Sequence, residues 1–278
     1  MHDKIVSINN LTKRFGEIVA LDNINFDLYK GDVVGLVGGN GAGKTTLLRL
    51  LSGLYKPTEG TILFHKRNGA TAPADQMRGR FGVVPEATGL YHRLTAWENI
   101  RYHSRLHGVN DEVAWNRASK FATALNFEGA LSRHTRGFSK GMRQKTALLR
   151  ALVHGPEILL LDEPTAGLDV TSARMVRKLV SKLKEEGGTV IYSTHNLAEA
   201  QQVCDRIIIV HNGELRADGT PQDLISRYNS ENLEDAYVSL TSDSAREDFE
   251  DLQDGFMSKF WRKLLTPSKI EQSGDESE

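Results

Sequence analysis

The chain has 278 residues, 39% of them apolar, a formal net charge of −1 and one cysteine, Cys204. That length and apolar content support one large domain or two small ones, and the near-neutral charge offers nucleic acid no global attraction. A lone cysteine excludes an internal disulfide and fits a reducing compartment; no signal-peptide segment follows Met1 and no apolar run approaches a membrane span, so membrane work would need another chain to do the spanning.

Short apolar segments at residues 5–8, 18–21 and 24–28 open the chain, and Ile24, Phe26 and Leu28 share one face at period two. This pattern predicts a small antiparallel sheet. Phe15 lies within it, between Arg14 and Gly16. An aromatic beside a nucleotide loop can stack on adenine, but on its own Phe15 reads as core. Residues 32–37 read as a buried strand and residues 44–51 as a helix. Between them, Gly38-Gly39-Asn40-Gly41-Ala42-Gly43-Lys44-Thr45 fits G-x-x-x-x-G-K-[ST], the phosphate-binding loop, with Thr46 continuing into the helix. Glycines let backbone N–H groups turn inward around phosphate oxygens, and the helix N-terminus adds positive potential there. Lys44 is placed to reach the β- and γ-phosphates, and the Thr45 hydroxyl to ligate Mg²⁺.

A turn at 56–60 precedes a strand at 61–64; residues 67–79 read as a loop and 81–84 as a short strand ending in Pro85-Glu86. From 95 to about 135 the pattern is helical, opened by a Thr95/Glu98 capping box. This predicts a helical insertion, about 95–154 once the helix through Leu152 is included, between two strands of a parallel sheet. Residues 157–163 form a near-continuous apolar strand ending in Asp162-Glu163, a pattern that suits a parallel strand covered on both faces. A helix at 171–186, a strand at 189–193, a helix near 197–204 and a strand at 206–210 follow, then an Asn212-Gly213 hairpin signal. The domain is expected to span 1–228, leaving 229–278 as a C-terminal tail.

Ligands of open parallel sheets bind at the carboxyl ends of strands, where Asp162 and Glu163 fall. One carboxylate there can hold Mg²⁺ through water, and its neighbour can take a proton from an attacking water. His195, after another strand end, can bond a γ-phosphate oxygen or position that water.

With these pieces in this order, residues 4 to about 228 resemble the ATP-binding cassette (ABC) transporter ATPases. The resemblance implies an α/β P-loop NTPase core with a mostly parallel sheet, an N-terminal antiparallel β subdomain and the helical insertion. It implies Phe15 as the adenine-stacking aromatic, Asp162 as Mg²⁺ support, Glu163 as catalytic base and His195 as switch histidine. Gly167-Leu168-Asp169 would cross a dimer interface, while Ser139 and Gly141 match the signature that contacts the γ-phosphate held by a second subunit. A serine hydroxyl and free N–H groups at a helix N-terminus suit that anion.

Three departures from the family pattern matter. Gly39 replaces the common Pro, the signature reads Phe138-Ser139-Lys140-Gly141-Met142, and Glu86 stands where a Mg²⁺-contacting Gln is usual. A carboxylate is a harder, charged ligand, so Glu86 is still expected to bind Mg²⁺. Residues 85–100 and 138–145 look like exporter ATPases that pair with separate membrane permeases, the sodium-extrusion (Nat-type) group first and multidrug exporters next. The implied partners are a second copy of the chain and integral-membrane permease subunits at the inner face of the cell membrane, with no nucleic acid. The competing reading is a soluble ABC ATPase of translation or DNA repair, which usually carries two cassettes or a long coiled-coil insertion.

His103 and His107 are spaced i, i+4, a metal-compatible spacing, but no third ligand is near in sequence, and two solvated helix histidines are expected. Arg133, His134 and Arg136 read as a solvated loop. In the tail, Met257, Phe260, Trp261, Leu264 and Leu265 fall on one face of an amphipathic helix at 256–265, which would pack on the ATPase or anchor to a membrane or permease.

Overall fold

The computed structural model describes residues 3–66 and 68–241. The chain divides into a unit spanning Met1–Ala236 and a second, Tyr237–Glu278. The helix expected at 256–265 lies outside the described residues.

Two long strands, β1 (Lys4–Phe15) and β2 (Ile18–Tyr29), pair antiparallel. The three short segments read from the sequence are pieces of these two. Asn10 and Asn23 both take a left-handed backbone (φ 47), and the β1–β2 register shifts around them, so the apolar alternation breaks inside each strand. With β4 (Glu59–His65) and β5 (Thr71–Pro73) they form a four-stranded sheet in the order β2-β1-β4-β5. β5 corrects the loop expected at 67–79: three residues ending in proline give no periodicity to read. Phe15 is not core. It is 44% exposed at the end of β1, edge-on to Tyr55 at 5.5 Å.

The second sheet contains β3 (Val33–Val37), β6 (Phe81–Val84), β7 (Ile158–Asp162), β8 (Thr189–Thr194), β9 (Arg206–His211) and β10 (Glu214–Gly219). Its order is β10-β9-β3-β8-β7-β6, parallel throughout except for the β9–β10 hairpin. Asn212 and Gly213 turn that hairpin with positive φ at both residues (49 and 78), the type I′ geometry that matches strand twist. β3, β7 and β8 are buried at every position, which is why they read as unbroken apolar runs.

Among the helices of the described residues are α1 (Lys44–Leu51), α2 (Ala96–Leu106), α3 (Asp111–Ala124), α4 (Lys140–Leu152), α5 (Val170–Glu185), α6 (Leu197–Val203) and α7 (Pro221–Arg227). Leu47, Leu50 and Leu51 of α1 share one core with Leu36 and Leu160 of the parallel sheet and Leu11, Ile24 and Phe64 of the antiparallel one. Burying these faces fixes α1 between the two sheets. β6 and β7 are neighbours, yet α2, α3 and α4 lie between them in sequence. This is the expected helical insertion. Past α7, Leu233 and Ala236 are buried, so packing continues beyond residue 228.

The insertion opens on a capping box. The Thr95 hydroxyl accepts from the Glu98 N–H at 3.1 Å, and the Glu98 carboxylate accepts from the Thr95 N–H at 2.8 Å. The Thr95 N–H, and the Thr95 hydroxyl donating at 2.9 Å, hold the Glu98 carboxyl below the usual carboxylate range. Thr95→Ala should destabilise the protein by about 1 kcal/mol, read as a lower urea midpoint at unchanged slope. An unmoved midpoint would remove the cap from the stability argument.

Candidate active site

The parallel strands β3, β7 and β8 end along one edge of their sheet, and the loop leaving β3 enters α1. Two glycines permit the path of that loop. Gly43 has φ 109, and a Cβ there would lie 2.6 Å from Leu21 Cδ2 and 2.8 Å from the Ala20 carbonyl; at Gly38 it would collide with the Val210 carbonyl. The result is a cavity of about 510 Å³ lined by residues 39–46, Ala20, Glu86, Glu163, Ala166 and His195.

Lys44 opens α1 and is 7% exposed. Its Nζ donates to the Gly38 carbonyl at 2.7 Å and the Gly39 carbonyl at 3.1 Å, and pairs with Glu163 Oε1 at 3.3 Å. The Thr45 hydroxyl donates to Asp162 Oδ2 at 2.9 Å. Ser193, the registered neighbour of Asp162 on β8, donates to Asp162 Oδ1 at 2.8 Å and accepts the Glu163 N–H at 3.1 Å.

Consecutive residues of a strand point to opposite faces. Glu163 breaks that rule with a left-handed backbone (φ 47), so both carboxylates reach the first turn of α1. Such a backbone at a non-glycine residue is strained and persists only where its surroundings hold it. The holding groups are Ser193 at its N–H, Lys44 at one carboxylate oxygen and His195 Nδ1 at the other, 2.9 Å away. Behind them, Glu199 of α6 is 8% exposed, accepts from the Thr165 hydroxyl at 2.7 Å and pairs with Arg177 at 3.2 Å, fixing the loop after Glu163. Sequence reading missed Ser193 and Glu199. Ser193 was detectable as a hydroxyl at a parallel strand end, level with Asp162.

The structure brings together residues 39–46, Glu86, Asp162, Glu163 and His195, with the Gly38 carbonyl bonded to Lys44. It does not bring Phe15, Ser139 or Gly141 to the cavity lining. Ser139 caps α4, accepting from the Met142 N–H at 3.2 Å. At Gly141 a Cβ would lie 2.7 Å from the Ser172 hydroxyl, which itself bonds Asp169 at 2.7 Å. The signature residues and the 167–169 loop are therefore packed together. The two histidines expected to be solvated are not: His154, just beyond α4, stacks on His107 at 3.9 Å.

A glycine loop and lysine at the carboxyl edge of a parallel sheet, facing an Asp-Glu strand end, define a P-loop nucleoside triphosphatase. The chain belongs to the ABC transporter family, whose profile matches residues 21–166, and it is an ATP-binding, ATP-hydrolysing subunit of that family. Over 240 residues it is 38% identical to the ABC transporter ATP-binding protein NatA of Bacillus subtilis, covering 84% of this chain and 97% of that protein. It is 36% identical over 231 residues to the bacitracin transport ATP-binding protein BcrA of Bacillus licheniformis, covering 83% and 74%. It superposes on the dimeric post-hydrolysis ATP-binding cassette MJ0796, bound to ADP and Pi, with a TM-score of 0.69 and 30% identity, covering 78% and 98%.

Proposed function

We propose that two copies of this chain close head to tail over two ATP molecules and drive export through separate membrane-spanning permease subunits. The observation that carries the reading is Glu163 held between Lys44 and His195 above the phosphate loop. Lys44 serves the β- and γ-phosphates. Water attacks the γ-phosphorus, the bond to the ADP oxygen breaks, and the Glu163 carboxylate takes the proton of the water. His195 orients the Glu163 carboxylate and reaches the γ-phosphate. Phe15, exposed at the end of β1, stacks on adenine. Ser139 and Gly141 meet the γ-phosphate held by the other copy. A dimeric relative bound to ADP and Pi supports the pairing.

The donors near Thr45 are a hydroxyl and the carboxylates of Asp162 and Glu86, an all-oxygen set that fits Mg²⁺. Those three residues would hold it, and the ion supplies charge neutralisation on the phosphate oxygens. Glu86→Gln should retain turnover with a shifted Mg²⁺ requirement, and Glu86→Ala should raise that requirement severalfold. Identical Mg²⁺ titrations of phosphate release in all three proteins would take Glu86 out of this set.

No helix among the described residues is long and apolar enough to cross a membrane. Membrane attachment is assigned to the permease, at the inner face of the membrane. Tyr91 (55% exposed), just before the helical insertion, and Tyr102 (48%) and Leu106 (67%) on it offer apolar surface for that contact. The resemblance of residues 85–100 and 138–145 to exporter ATPases supports the direction of transport. The cargo is a sodium ion or a drug-like molecule; a relative named for bacitracin transport supports the second class. A pull-down of the tagged chain from detergent-solubilised membranes tests the reading. A multi-span membrane protein should be recovered with it. Recovery of ribosomes or nucleic acid instead would favour the soluble alternative in translation or DNA repair.

A further inference from the structure

Three histidines converge away from the nucleotide cavity. His103 lies on α2 and His107 caps its C-terminal end one turn later, with ring centroids 4.8 Å apart. His154 lies 3.9 Å from His107, nearly parallel to it, and 6.0 Å from His103. One ring nitrogen from each falls within 4.8 Å of the others.

The hydrogen bonding of this cluster is incomplete in an informative way. His154 Nε2–H donates to the Phe81 carbonyl at 2.9 Å. That bond places the proton on Nε2 and leaves Nδ1 with a bare lone pair. Nδ1 of His154 is buried and without a hydrogen-bond partner, and so is Nδ1 of His103. Buried nitrogens without partners are costly and uncommon in folded proteins. A histidine whose second nitrogen is tied to a backbone carbonyl has the arrangement that orients metal-ligating histidines.

We propose that His103, His107 and His154 form a binding site for one divalent transition-metal ion of the zinc class. The surroundings bear on which ion. Arg150 and Arg117 place positive charge beside His103 and His154. Their guanidinium groups are held by backbone carbonyls, Arg150 by Thr88 at 2.7 Å and Arg117 by Val153 at 3.1 Å. Positive neighbours weaken the binding of any cation, so an ion must gain its affinity from the imidazoles themselves; uncharged nitrogen ligands do not suit Mg²⁺ and Ca²⁺, which need oxygen and negative charge, and select ions that bond strongly to imidazole. Tetrahedral zinc with Zn–N of about 2.0–2.1 Å sets ligand nitrogens about 3.4 Å apart, so the rings draw together on binding by side-chain rotation. Three ligands leave a fourth position for water.

The location gives the site a mechanical consequence. The ion would tie α2 to the chain after α4 and, through the bond from His154 to Phe81, to the start of β6. Ser139 caps the opposite end of α4, and Glu86 follows the far end of β6. The metal thus braces the helical insertion against the sheet. The inference rests on the histidine cluster alone and is independent of the transport reading.

The test uses the full chain, stripped with a chelator and equilibrated with Zn²⁺ or Co²⁺. The expected result is one zinc bound per chain, the visible absorption of tetrahedral Co²⁺, and a melting temperature raised by zinc. His103→Gln and His107→Gln should each weaken binding at least tenfold and lose the zinc-dependent melting shift, while His195→Ala keeps both. His107→Gln decides the matter if His103→Gln does not fold. Failure of the folded wild type to take up zinc, or equal uptake by wild type and the His107→Gln variant, overturns the proposal.

Discussion

Glu163→Gln should lower steady-state phosphate release by about 10²–10⁴-fold, the range lost when a general base is removed. Glutamine keeps the length of the side chain and a hydrogen bond for His195, and it occupies the same left-handed backbone at similar strain. It cannot accept a proton. The affinity for ATP should stay within a few-fold of wild type, because Glu163 contacts Lys44 and His195 rather than the glycine loop. If the paired arrangement holds, the variant should accumulate as an ATP-bound dimer, seen by light scattering as a doubled mass on adding ATP. Turnover above one-tenth of wild type would remove Glu163 as the base, whatever the mass measurement gave.

Lys44→Ala should fail earlier, at binding. Hydrogen bonds to charged groups contribute about 1.5–3 kcal/mol, so losing the ammonium should weaken ATP binding by roughly 10–150-fold. The change also strips the Gly38 and Gly39 carbonyls of their donor and leaves the Glu163 carboxylate, 11% exposed, without its cation. Breaking a fully buried pair by removing one partner costs about 3–5 kcal/mol; the contact of Glu163 with His195 should reduce the loss here. The double variant Lys44→Ala/Glu163→Gln separates the two effects. It should recover much of the melting temperature and none of the nucleotide affinity. Fluorescent-nucleotide titration within threefold of wild type for Lys44→Ala would remove Lys44 from the phosphate contacts.

Much of this was legible in the sequence because local chemistry and tertiary fate agree. The α1 boundaries, the Thr95/Glu98 box and the Asn212-Gly213 hairpin each depend on residues within a few positions. The buried strands betray themselves as apolar runs. What stayed hidden depends on distance or on a local break in pattern. Asn10 and Asn23 interrupt the alternation of β1 and β2, so two long strands read as three fragments. β5 is too short to have a period, and Phe15 is apolar yet exposed at a strand end. At the site, the Asp-Glu pair was readable, but its geometry was not. Ser193 and Glu199 enter through sheet register and helix packing. His154 completes the cluster with His103 and His107 from beyond α4 in the chain, a proximity no spacing rule contains.

The order of strands in the parallel sheet also sets when the protein can mature during synthesis. β3, which launches the phosphate loop, is flanked only by β8 and β9; the Gly31 N–H finds its partner, the Thr189 hydroxyl, 158 residues later. A nascent chain therefore carries β3 and its loop with both strand edges bare through most of translation. The carboxylates of β7 meet α1 only in the same late interval. Nucleotide affinity should arise abruptly once residue 211, the end of β9, clears the ribosome, and chains truncated before it would present an unpaired apolar strand to chaperones or to one another.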